Sequence, residues 1–271
     1  MTTAVEAMLG RHRAVSIVAL IILTGLAWAW LLSGASMAMD PIISFPPLAT
    51  DGIPQSATPM DSAMNVDSAW AAERFAVTLS MWWVMMIAMM LPSAAPTILL
   101  YGRAASHGKP AVRPDTEFFL AGYLVAWGGY SLIATVLQLL LERIVWLAPM
   151  TMASGSRWLS GGILITAGIY QLGPLKDMCL RHCRNPASFL SRNYRSGRIG
   201  ALKMGLLHGT YCVGCCWLLM ALLFVGGVMN LAWIALLTVI VATEKLLPHG
   251  RLIGIAMGLA IIVWGSAMLL E

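Results

Sequence analysis

Residues 201–226 read ALKMGLLHGTYCVGCCWLLMALLFVG, and this run decides both the fold class and where the chemistry is to be sought. Lys203 is its one residue of fixed charge, and its length exceeds the roughly 20 apolar residues that cross a bilayer core. Backbone groups in hydrocarbon must be satisfied within the segment, so the run is read as a membrane-spanning helix. On such a helix His208, Cys212 and Cys216 form one row at i, i+4 and i+8, with Cys215 three residues from Cys212.

The rest of the chain has the same character. Of 271 residues 59% are hydrophobic and 11% charged, and the mean hydropathy is +0.79. That is too little charge to cover a water-soluble domain. Apolar runs at residues 14–32, 75–91, 118–141, 158–175, 201–226, 231–247 and 252–270 predict an all-α polytopic transmembrane bundle of about seven spans, forming a single membrane domain. The first run follows Arg11-His12-Arg13 and exceeds the roughly 7–15 residue core of a secretory signal, so it reads as a signal anchor. The small residues from Ser33 to Ala38 leave cleavage open. Pro92 and Pro96 are expected to kink or end the second span, with the continuation through Tyr101 as a separate short segment.

The net charge of +5 reads as topology rather than nucleic-acid binding. With the N-terminus in the cytoplasm and the C-terminus outside, fourteen of the seventeen Lys and Arg fall on the cytoplasmic side, many of them in a basic loop over residues 176–203. Residues 33–74, rich in Pro and Asp, form an acidic extracytoplasmic loop in this reading.

All five cysteines lie between Cys179 and Cys216. Cys179 and Cys183 share a face if their segment is helical, with His182 beside them. With His208, Cys212, Cys215 and Cys216 they offer thiols and imidazole, donors for a soft or borderline ion. A further row of sulfurs, Met81, Met85 and Met89, lies on one face of the second span with Met86 and Met90 next to it. Thioether suits Cu(I) and not Zn(II), so copper is the expected ion and zinc the alternative. Adaptable packing is the plain explanation for the methionines, and burial as a small hydrophobe the plain one for a single cysteine. Gln171 and Glu244 are candidate supporting polar groups, while Lys245 is expected to snorkel. Trp82, Trp83, Trp127, Trp146, Trp158 and Trp217 fit interfacial belts. Gly161-Gly162 and Gly226-Gly227 are read as close packing sites.

A phosphate loop, a dinucleotide fingerprint, an HExxH pair and a CxxCH haem site are all absent. No catalytic residue is assigned, and the reading is of a binding protein rather than an enzyme. Three stretches carry a resemblance: Met85 to Ser93; Tyr170 to Lys176 with Cys179-Leu-Arg-His-Cys183-Arg184; and Gly205 through Cys212-Val-Gly-Cys215-Cys216-Trp217. Together with Gly226 to Asn230 and Glu244-Lys245, they resemble a bacterial family of predicted metal-binding integral membrane proteins of unknown function. The resemblance spans about Met81 to Pro248. It implies a multi-span protein holding metal through Cys179, Cys183, His208, Cys212, Cys215 and Cys216.

The resulting expectation is a multi-pass protein of the bacterial inner membrane, in contact with the lipid bilayer. It would bind copper for homeostasis, trafficking or delivery to a metalloenzyme or metallochaperone, with no nucleic-acid partner. In this picture Cys179 and Cys183 form a cytoplasmic exchange site and the methionine face an outer acceptor. Two other readings stand beside it: a membrane thiol-disulfide oxidoreductase, and a structural or assembly subunit whose cysteines are only packed.

Overall fold

The computed structural model describes residues 2–34, 72–106, 115–144 and 156–270. The acidic segment, apart from its edges, and the cleavage region after Gly34 lie outside the described residues, as does Trp146. The described residues are helical, without strands. The helices are α1 (Thr2–Gly34), α2 (Ala72–Ser106), α3 (Thr116–Arg143), α4 (Arg157–Leu172), α5 (Pro174–Arg184), α6 (Pro186–Asn193), α7 (Arg198–Ala221), α8 (Leu223–Gly226), α9 (Leu231–Leu246) and α10 (Gly250–Leu270).

Five helical stretches among the described residues are long and apolar enough to cross a membrane: Ala14–Ser33, Ala72–Ala105, Thr116–Arg143, Arg198–Gly226 and Gly250–Leu270. The sequence led to seven. The difference lies in α4 and α9, of 16 residues each. At 1.5 Å per residue each is about 24 Å long, short of a bilayer core of about 30 Å. Gly173-Pro174 and Pro248 trim their ends, because proline cannot continue a helix hydrogen-bond ladder. The stretch expected as a basic loop folds in large part as α5 and α6, each opening with proline in its first turn.

Pro92 and Pro96 do not divide the second helix; α2 runs through both. Pro92 has no N–H to offer the Ala88 carbonyl one turn back. The Trp28 indole of α1 donates to that carbonyl at 3.2 Å, so the freed acceptor becomes a bond between helices.

Two pairs of helices approach closely because glycines remove the side chains between them. In the first, Gly205 of α7 lies against the Phe119 carbonyl of α3, Gly122 against Leu202, and Gly209 against Ala126. From Phe119 at Gly205, through Tyr123 and Ala126 at Gly209, to Tyr130 at Trp217, the numbers on α3 and α7 rise together, so the two helices run parallel. In the second, Gly161 and Gly168 of α4 face Leu269 and Ile262 of α10, so this pair runs antiparallel. Gly161 is thus a packing glycine, whereas Gly162 has open space beside it. Gly226 packs on Trp233, as expected of a close contact.

Trp82 and Trp127 are fully buried instead of interfacial. The Trp82 indole donates to Gln138 of α3 at 2.6 Å, and Gln138 donates to Glu142 at 2.9 Å. An internal amide acceptor supplies what water would supply at a membrane surface.

Candidate functional site

The central part of α7 brings Cys212, Cys215 and Cys216 into the interior, each 2% exposed or less. All five cysteines are free thiols. The Cys215 thiol donates to the Cys212 carbonyl at 3.1 Å, and the Cys216 thiol to the same oxygen at 3.0 Å. Both thiols therefore turn back along their own helix. Among the described residues no three His, Cys, Asp or Glu form a preassembled metal site.

Other helices complete the surroundings of these sulfurs. Lys245 of α9 is buried and does not snorkel; its ammonium lies 2.9 Å from Cys212 Sγ, 3.9 Å from Cys216 Sγ and 3.7 Å from Met90 Sδ. The Cys216 thiol is itself 3.8 Å from Met90 Sδ. Tyr123 of α3 donates to the Met90 carbonyl at 3.1 Å and has its hydroxyl 3.2 Å from Cys212 Sγ. A buried ammonium is tolerated where partners replace its water, and here those partners are sulfurs.

The α5 cysteines lie beside α7. Cys183 interacts with Cys212 and Cys215, and these hydrogen bonds, followed by burial, push its thiol well above the ordinary cysteine range. Cys179 sits against Gly214, where an added methyl would meet its sulfur at 2.8 Å. Burial raises its thiol as well, with Cys215 acting in the same direction. The Tyr170 hydroxyl donates to the Gly214 carbonyl from α4. The two groups of cysteines that the sequence separates into loop and span thus adjoin each other.

His208 and His182 are both held among aromatic rings. The His208 ring is surrounded by Phe119, Tyr123 and Phe189, with centroids 6.1, 6.0 and 5.2 Å away, and its Nδ1 is buried without a partner. His182 stacks on Tyr211 at 4.1 Å and its Nδ1 bonds the Met178 carbonyl at 2.8 Å. Met81, Met85 and Met89 are buried as a row, but the methionine in contact with thiol is their neighbour Met90.

Glu244 pairs; it does not face the sulfurs. Its carboxylate receives Lys176 at 2.5 Å and Gln171 at 2.6 Å, and Lys176 also donates to Gln171. Lys176 and Glu244 are both almost wholly buried. Arg184 reaches the Leu247 and Pro248 carbonyls, and Arg251 caps α4 through the Gln171 and Leu172 carbonyls. These bonds fix α5, and with it Cys179 and Cys183, to α4, α9 and α10. Sequence reasoning set Met90 beside the methionine row and took Lys245 for a snorkelling residue, giving neither a place among the thiols, and it missed Tyr123 and Lys176.

No curated protein and no solved structure matches the chain. Residues 79–268, more than half of the chain and the part that carries the cysteines, Met90, Tyr123, Lys176, Glu244 and Lys245, match the family described as "PpoB2: Copper chaperone". The chain belongs to the PpoB2 copper chaperone family.

Proposed function

We propose that this chain is a multi-pass protein of the bacterial inner membrane that takes up Cu(I) on sulfur and delivers it to a metalloenzyme or to a metallochaperone. The observation that carries the reading is the convergence of Cys212, Cys216 and Met90 around the Lys245 ammonium. Thiolate and thioether select Cu(I) among first-row ions. Two thiolates and one Cu(I) carry a net charge of −1, and the ammonium brings the assembly to zero. Neutrality matters inside a bilayer, where an unbalanced charge is expensive.

Cys212 and Cys216 are proposed to supply the two thiolates, with Cys215 beside them as a further, uncharged sulfur donor, and Cys183, which interacts with Cys212 and Cys215, exchanges copper with them. Cys179 lies beside this exchange position, and His182 marks the α5 face next to it. His208, one turn below Cys212, has a buried Nδ1 able to take the ion at a further step. Gln171 and Glu244 act indirectly by holding Lys176 and so the start of α5. Zinc is the less suitable ion, since structural zinc sites close four N or S ligands into a tetrahedron. With zinc the family match would also lose its meaning.

Elemental analysis of protein purified under reducing conditions from cells supplied with both copper and zinc tests the reading. Near-stoichiometric copper that disappears in the C212S/C215S/C216S variant is expected. Stoichiometric zinc, or no metal in either protein, overturns it. The second outcome leaves thiol-disulfide exchange through the Cys183 contact, or a structural role.

A further inference from the structure

The face of α2 turned toward α3 is defined at two points: Trp82 bonds Gln138, and the Met90 carbonyl receives Tyr123. Trp82, Met86 and Met90 form an i, i+4, i+8 row. Met86 therefore lies opposite the stretch of α3 between Gln138 and Tyr123, which carries Ser131 and Thr135. Both are fully buried. Their hydroxyl protons go to the Trp127 and Ser131 carbonyls one turn back, so each leaves oxygen lone pairs for another partner. Met85, Met86, Met89 and Met90 are 1% exposed or less, and Met81 is 5% exposed.

This is more order than core filling requires. Methionine is a flexible packing residue, and leucine fills a helix interface as well. Here five thioethers occupy ten consecutive positions, one end of the row touches a thiol, and the stretch of α3 between the two anchor points carries two buried hydroxyls.

We infer that the methionines of α2 form a relay for Cu(I), running from Cys216 through Met90 and Met86 toward Met85 and Met81. The inference rests on the proposed function. The path from Met90 to Met81 rises about 14 Å along α2. At each step a new copper–sulfur bond forms and the previous one breaks. No electron is exchanged, and because thioether is neutral the ion moves along the row without uptake or release of a proton. The single proton event is at the thiol that gives up the ion. Ser131 and Thr135 offer oxygen to the cation where no water reaches it. The far end of the row is close to Trp82, whose chain of bonds continues through Gln138 to Glu142, itself paired with Arg74 at 2.9 Å.

Full-length protein in lipid vesicles, loaded with Cu(I), is challenged with a membrane-impermeant Cu(I) chelator, and bound copper and release rate are both measured. M86L, and separately M85L, are expected to retain the wild-type copper stoichiometry and to release it at least tenfold more slowly. M86C, which restores a soft donor, is expected to recover the rate. Release at the wild-type rate from both leucine variants overturns the relay. So does slow release that M86C fails to restore, since that indicates packing. Wild-type protein that binds no Cu(I) overturns the proposed function itself, whereas wild-type binding with unaltered release in the variants overturns the relay alone.

Discussion

The Lys245 ammonium lies 2.9 Å from the Cys212 sulfur inside the bundle, joining the end of α9 to the centre of α7. A charged donor at that distance makes a stronger hydrogen bond to sulfur than a neutral one would, and the adjacent residue, Glu244, receives Lys176 and so holds α5. Two consecutive residues thus organise the thiols and the helix that approaches them.

Replacing this ammonium tests its contribution. A hydrogen bond to a charged group contributes about 1.5–3 kcal/mol. K245M is therefore expected to weaken Cu(I) binding by about 10- to 150-fold, and K245R to retain most of it. Competition titration with a Cu(I) chelator checks this, and equal affinity for K245M and wild type contradicts it.

Cys179 and Cys183 predict a pH dependence. A thiol whose pKa is raised holds less thiolate at a given pH, and thiolate is the species that is alkylated. Iodoacetamide is expected to modify both more slowly than free cysteine near neutral pH, with rates still rising above the ordinary thiol range. Mass spectrometry of the labelled peptides reads this directly; reactivity equal to that of free cysteine at neutral pH refutes it.

The Lys176–Glu244 pair is buried on both sides. K176M leaves an unpaired internal carboxylate and is expected to destabilise the protein by about 3–5 kcal/mol. K176M/E244Q, which removes both charges, is expected to recover a large part of the loss. Thermal unfolding in detergent distinguishes the two, and equal stability of single and double variants counts against a paired role.

At Gly205 the restriction is steric. A side chain there meets the Phe119 carbonyl, which is backbone and cannot rotate away. G205V is expected to separate α3 from α7 and lower stability by about 1–3 kcal/mol or more. G162A, at a position with open space, is expected to be neutral. Comparable loss in both variants would show that the glycine contact is not what holds the pair.

The all-helical class, with helices long and apolar enough to cross a membrane, was legible because apolar runs are a property of local sequence. The count of spans was less so: the run at residues 158–175 contains Pro174, and hydropathy alone does not register the break it makes. The thiols were legible as donors from their spacing, yet their environment was not. Lys245 sits where snorkelling is the reasonable expectation, and it turns inward only because α9 packs across α7 at Cys212. Met90 rather than Met81, Met85 or Met89 reaches the thiols, since which side of α2 faces them depends on helix adjacency. Trp82 was misread for the same reason: its partner, Gln138, is 56 residues away.

Whether Cu(I) is held on the α7 sulfurs can be read by X-ray absorption at the copper edge, on protein loaded with one equivalent of Cu(I). A Cu(I) edge with a first shell of sulfur alone is expected, and is expected to be lost in C212S/C215S/C216S. A first shell of nitrogen or oxygen, or a sulfur shell that survives the triple substitution, would contradict it.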